Sequence, residues 1–179
     1  MGQAQQDAAA NLSATQQFLT FSLSGEMFGV GILTVQEIIE YGEVTEIPMG
    51  PAFIRGVINL RGAVVPVIDL AARFGNTPTI PSRRTCIIIL EIRHEDSTQT
   101  LGVLVDSVSA VLDIPTSEIE PPPAFGARIR ADFIVGMGKV DGHFVILLDI
   151  ERVLSVDEIA TLASLGESDT SEAVSASLN

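Results

Sequence analysis

The chain has 179 residues, 46% of them hydrophobic but only 5% aromatic, and a formal net charge of −13. A balance this acidic argues against nucleic acid or an anionic membrane surface as partner. A single cysteine, Cys86, excludes an internal disulfide, and the longest aliphatic runs are far too short to cross a bilayer.

This length holds one domain or two small ones with a real core. An apolar set dominated by Val, Ile and Leu favours β structure over a helical bundle. Residues 18–154 carry 17 acidic and 10 basic side chains, whereas the flanks carry 6 acidic and no basic ones. Much of the acidity therefore lies outside the expected domain. Nine of the basic residues are Arg, the better side chain for oriented, bidentate contacts. The N-terminus has neither the basic n-region nor the apolar h-region of a signal peptide. Its Met-Gly opening is followed by Gln at the sixth position, which breaks the myristoylation pattern. The expectation is a soluble, cytoplasmic protein.

In chain order, residues 1–17 are Gln/Ala-rich and polar, and read as a disordered tail. Phe18 to Leu23 alternates as a strand, Ser24-Gly25-Glu26 is a turn, and Met27 to Leu33 is a second strand. Val35 to Ile39 is too short for its period to separate helix from strand. The stretch RGVINLRGAVVPVIDL, residues 55–70, reads as two apolar arms around a polar knuckle. Gly62 is free to take φ > 0 there and tighten a hairpin-like turn that carries Arg61. Pro66 predicts that the returning arm is an edge strand or bends. Residues 69–74 (DLAARF) have helix formers and stop at Gly75, and 76–82 form a linker. Cys86 to Ile92 is a strong strand, HEDST at 94–98 a charged hairpin tip, and Leu101 to Val105 its return, with β character resuming over Val108 to Ile114. The connection from Pro115 to Arg130 contains three consecutive prolines, which exclude helix or ladder. Ile134 to Ile150 is again two arms around Asp141-Gly142, a strong hairpin signal. A capping box at Ser155-Val156-Asp157-Glu158 opens a C-terminal helix, 155–165, that uses Ile159, Leu162 and Leu165. Residues 166–179 read as a disordered acidic tail.

The chain repeats itself. Gly56 to Gly62 aligns with Gly136 to Gly142, and VVPVIDL at 64–70 with FVILLDI at 144–150. Upstream, Phe28-Gly29-Val30 matches Leu101-Gly102-Val103, and Val35 matches Val108. Two copies of one small β unit follow, residues 18–75 and 84–154, each with about five short strands suited to a small barrel. Two such barrels packed by apolar faces would leave a groove between them. The copies differ at the turn, where Arg61 faces Asp141 in the alignment.

One Asp per copy, Asp69 and Asp149, allows two readings. An aspartic-protease dyad needs each Asp on a tight loop of small residues. Here each is followed by a bulky aliphatic and a helical pattern, which fits a helix N-cap instead. His94 and His143 read as solvated turn residues, and Cys86 has no His partner. Gly29 and Gly31 lack a βαβ setting for a dinucleotide loop. Arg61 is either a solvated turn residue or a partner-protein anchor. Val35, beside Glu37, is either core or contact.

Several motifs together resemble the CheW family of bacterial chemotaxis adaptors: INLRG at 58–62, VVPVIDL at 64–70, GVLVDSVSAVLDI at 102–114 and VGMGKVDGHFVILLDIERVL at 135–154. The likeness runs from about Phe18 to Leu154. It implies an all-β fold of two five-stranded Src-homology-like barrels packed together, with short helices and the C-terminal helix, so that residues 18–165 form one CheW-like domain. It implies a non-catalytic adaptor without cofactor or metal. Such an adaptor binds the cytoplasmic tip of a methyl-accepting chemoreceptor and the C-terminal regulatory domain of the histidine kinase CheA. It is cytoplasmic and recruited to membrane-associated arrays. An adaptor of a surface-motility or biofilm kinase cascade is the alternative within this family. Carried over by motif, Arg61 with Asn59, the segment Val35, Glu37 and Ile38, the pair Cys86-Ile87, and Val108 are receptor-contact residues. Gly56 and Val44 match positions implicated in coupling to the kinase. The chain departs from many relatives in its longer HEDST hairpin and its acidic C-terminal tail.

Overall fold

The computed structural model describes residues 14–48, 51–94, 96–122 and 131–153. The C-terminal helix expected over 155–165 and the tail beyond it lie outside these residues. Eleven strands carry the described chain. The first half supplies β1 (Thr15–Leu23), β2 (Glu26–Gly31), β3 (Val35–Glu40), β4 (Ile54–Leu60), β5 (Ala63–Asp69) and a one-turn helix α1 (Leu70–Arg73). The second half supplies β6 (Cys86–His94), β7 (Ser97–Val105), β8 (Ser107–Pro115), β9 (Ile119–Glu120), β10 (Ile134–Val140), β11 (His143–Leu148) and the short helix α2 (Ile150–Val153). β1 starts at Thr15, so residues 15–17 belong to a strand and not to the tail that their polarity predicts. They pair with Asp113 to Pro115 of β8. Val35 to Glu40 is a strand.

The tight turns form where glycine follows a polar residue. Ser24, Arg61 and Asp141 have φ of 53°, 50° and 51°, and each is followed by a glycine at 80–89°. Two consecutive left-handed residues match the right-handed twist of the flanking strands. Asn59 supports the second turn, its side-chain oxygen accepting from the Gly62 N–H at 2.8 Å.

The sheets are all-β layers in the orders β8-β1-β2-β11-β10-β9 and β3-β6-β7-β5-β4. The repeat is real but does not build the barrels copy by copy. The hairpin β1-β2 joins the strands β8 to β11 of the second copy, and the hairpin β6-β7 joins β3, β4 and β5 of the first. The two sheets match strand for strand: β6-β7 stands where β1-β2 does, and β3, β4 and β5 stand where β8, β10 and β11 do. Even the parallel crossings correspond, Val67 pairing with Gly102 and Leu147 with Gly29. The units 18–75 and 84–154 are therefore sequence repeats, and each barrel takes its hairpin from the other one.

Each sheet closes on itself. After β3 the chain crosses to β4 through a bridge between Thr45 and Val57. After β8 it crosses through β9 to β10. Gly56 permits the first crossing: a Cβ there would lie 2.2 Å from the Thr45 carbonyl oxygen, and its φ is +151°. Gly136 plays the same part, with the Glu120 carbonyl oxygen 2.8 Å from a Cβ position.

Alternation along β6 separates two cores. Ile88, Leu90 and Ile92 face a large core shared with Phe21, Phe28 and Leu148 of the other sheet. Ile87 and Ile89 face the interior of the five-stranded barrel with Val65, Val67 and Leu104. The six-stranded barrel has its own interior of Phe18, Ile114, Val145 and Leu147. Pro66 is not on an edge, because β5 lies between β7 and β4. It is accommodated because the parallel ladder with β7 begins only at Val67, one residue later.

Candidate functional site

The Arg61 turn lies against β3. The Arg61 guanidinium donates to the Glu37 carboxylate, Nη2 to Oε2, at 2.8 Å. This contact raises the arginine pKa above its ordinary value, chiefly through the hydrogen bond. Arg61 is 72% exposed and Glu37 29%. The pair therefore spans the seam between β3 and the β4-β5 hairpin and leaves a guanidinium edge free for a partner.

On the other face of β3 lies an apolar strip. Val35, Cys86 and Val108 are half-buried and packed against the shared core. A bulge at Gln36, between the pairs Val35↔Leu90 and Glu37↔Ile89, is what turns Val35 to that face while Glu37 points to the barrel mouth. Ile38, paired with Ile88, is 42% exposed. Val35 and Val108 occupy equivalent positions of the two sheets, so the strip lies where the barrels meet. The Cys86 thiol donates to the Arg84 carbonyl at 3.3 Å. Burial pushes its pKa up, the Glu40 carboxylate adds to the rise, and a backbone contact at Val108 opposes it. The shift disfavours the thiolate, in keeping with the packing of Cys86 against the shared core.

The remaining candidates stand elsewhere. Ile87 is 1% exposed inside the five-stranded barrel, so its side chain offers no surface to a partner. Val44 and Gly56 are one contact: the Val44 Cγ1 is 2.8 Å from where a Gly56 Cβ would be. Leu33, 99% exposed in the turn before β3, lies beside Val35 in sequence and was not singled out by sequence reasoning. No periodicity marks it, because it belongs to a three-residue 3-10 turn.

The duplicated aspartates are helix caps. Asp69 Oδ1 accepts from the Ala72 N–H at 3.3 Å and the Thr79 hydroxyl at 3.1 Å, and Oδ2 accepts from the Thr79 N–H at 2.9 Å. Arg55 lies 3.6 Å away. Thr79 therefore pins the 76–82 segment, which is more than a linker. Asp149 accepts from the Arg152 N–H at 3.4 Å. Their backbones are equivalent too, Asp69 donating to Phe53 O at 2.8 Å and Asp149 to Phe133 O at 2.9 Å. Among the described residues no cluster of His, Cys, Asp and Glu has metal-site geometry. No described helix is long and apolar enough to cross a membrane.

A family model described as the CheW-like domain matches residues 17–158. The chain is 38% identical over 153 residues to the chemotaxis protein CheW of Klebsiella aerogenes, covering 86% of this chain and 90% of that one. It is 36% identical over 143 residues to a probable chemotaxis protein CheW of Rhizobium etli, covering 80% and 90%. Its fold is similar to the crystal structure of the scaffolding protein TtCheW from Thermoanaerobacter tengcongensis, with a TM-score of 0.72 and 36% identity over 81% of this chain and 91% of that one. With its paired β-sheets, its capping aspartates and these matches over most of its length, the chain belongs to the CheW family and is a chemotaxis adaptor.

Proposed function

We propose that the chain joins the cytoplasmic tip of a methyl-accepting chemoreceptor to the C-terminal regulatory domain of the histidine kinase CheA, within a membrane-associated array. It does so without chemistry of its own. The observation that carries this reading is the apolar strip of Val35, Cys86, Val108 and Ile38 backed by a shared core and flanked by the Arg61–Glu37 pair. An amphipathic helix laying apolar anchors on such a strip follows the helix-in-groove mode. The exposed guanidinium then selects a carboxylate or a helix-end carbonyl on the partner. Gly56 and Val44, at the crossing from β3 to β4, tie the seam to the outer hairpin and so give kinase coupling a rigid path.

The test is co-sedimentation with receptor-containing membranes and the kinase, with kinase autophosphorylation read in parallel. Wild type joins the pellet and raises kinase activity. Arg61→Glu and Glu37→Arg each lose both while keeping a native circular dichroism spectrum. The double exchange regains the intramolecular pair. If it also regains full coupling, the pair acts by setting seam geometry; if it stays inactive, the guanidinium itself is read by the partner. Normal coupling by both single variants would refute the site.

A further inference from the structure

The two barrels differ at one end. The bulge that skips Gln36 in β3 recurs in β8, where Ser109 is skipped between the pairs Val108↔Phe21 and Ala110↔Thr20. Ala110 therefore occupies the position of Glu37, and Asp141 that of Arg61. The ion pair that spans the five-stranded barrel's seam has no counterpart in the six-stranded one. The walls are thinner as well. Thr20 stands where Ile89 does, and Val140 where Leu60 does. Small side chains at matched positions leave space that packing would otherwise fill. A cavity of about 570 Å³ opens there, between β8 and the β10-β11 hairpin. Its apolar walls come from Met27, Leu112, Met137, Val145 and Phe144, and its rim carries the carboxylates of Glu26 and Asp141. None of the lining residues is Lys or Arg. Phe144 is 49% exposed at the lip.

We propose that this open barrel mouth binds a partner-protein segment that presents an apolar anchor side chain beside a lysine or arginine. Apolar walls with a few polar groups at the rim are the make-up of a binding pocket. Two methionines suit it to anchors of varied shape, because the thioether chain is flexible and polarizable. The two carboxylates set the sign of the flanking charge, since a cation at the rim complements them and an anion is repelled. This surface is distinct from the strip at Val35 and Ile38, and does not rest on the array reading above.

The test uses methyl-13C-methionine protein and two short synthetic peptides. Both carry Leu and Phe anchors, flanked by arginines in one and by glutamates in the other. The arginine peptide shifts the Met27 and Met137 methyl signals saturably, and the glutamate peptide binds at least about tenfold more weakly. The paired substitution Ala110→Glu with Asp141→Arg installs the ion pair of the other barrel. Arg61 already holds that turn geometry at φ 50°, against 51° for Asp141. This variant keeps a dispersed methionine spectrum and loses the shifts. The proposal is overturned if the arginine peptide gives no saturable shift, if the glutamate peptide binds equally well, or if the folded double variant still binds.

Discussion

Replacing Gly56 by alanine tests how the five-stranded barrel closes. The new methyl would sit 2.2 Å from the Thr45 carbonyl oxygen and 2.8 Å from the Val44 Cγ1. The first neighbour is backbone held by reciprocal hydrogen bonds to Val57, at 2.9 and 2.8 Å, so it does not swing away. Overpacking of this kind costs about 1–3 kcal/mol. The φ of +151° adds about 1 kcal/mol of backbone strain for an L-residue. The sum is about 2–4 kcal/mol, and at ~2–4 °C per kcal/mol for a domain of this size the melting temperature falls by roughly 4–16 °C. Gly62→Ala is the control. Its φ is +89°, but nothing lies within 4 Å of the added methyl, so only the strain term applies. Thermal and urea unfolding of both variants by circular dichroism separates the two effects. A Gly56→Ala loss no larger than that of Gly62→Ala would refute the close crossing at Thr45.

The capping aspartates have unequal weight. Asp69→Asn places an amide against the Thr79 donors and removes the carboxylate charge beside Arg55, which keeps its hydrogen bond to the Thr79 carbonyl, at a cost of about 2–4 kcal/mol, whereas Asp149→Asn, at a partly exposed cap, costs under ~1 kcal/mol. Equal losses in urea titrations would overturn that ranking. Cys86 alkylation by iodoacetamide speeds up with pH, with a midpoint above that of an unfolded control peptide, because the folded protein disfavours the thiolate. A midpoint at or below the control contradicts the burial argument. Ile38→Asp changes stability by no more than ~0.5 kcal/mol yet loses receptor-membrane sedimentation. Val35→Asp loses ~2 kcal/mol or more because its side chain packs on the shared core. If the two variants were equally stable, Val35 would not be a core residue.

Much of this was legible in the sequence because it is local. Arg61-Gly62 and Asp141-Gly142 announced their turns, and Asp69 and Asp149 announced their caps. The repeat was legible too, but sequence likeness says which segments are equivalent and not which segments pair. The crossings Val67 to Gly102 and Leu147 to Gly29 join opposite copies, and no local signal encodes them. The run Cys86 to Leu90 is apolar on both faces, so nothing in it tells that Ile87 points into a barrel and Ile88 into the shared core. Arg61 and Glu37 were both candidates, yet their pairing arises only because β3 and the β4-β5 hairpin flank one seam.

The exchange of hairpins has a consequence for synthesis. The β1-β2 hairpin is made first, but its partners β8 and β11 lie some 80 to 120 residues downstream. On the ribosome it must wait, an exposed pair of strand edges, until almost the whole domain has emerged. The same holds in part for β3, whose partner β6 follows about fifty residues later. Long-range pairings of this kind slow folding, because loop closure comes before the contacts that offset it. Waiting edges also invite pairing between nascent chains. The arrangement that fuses two barrels into one cooperative body thus makes the newborn chain dependent on holding its first hairpin in reserve.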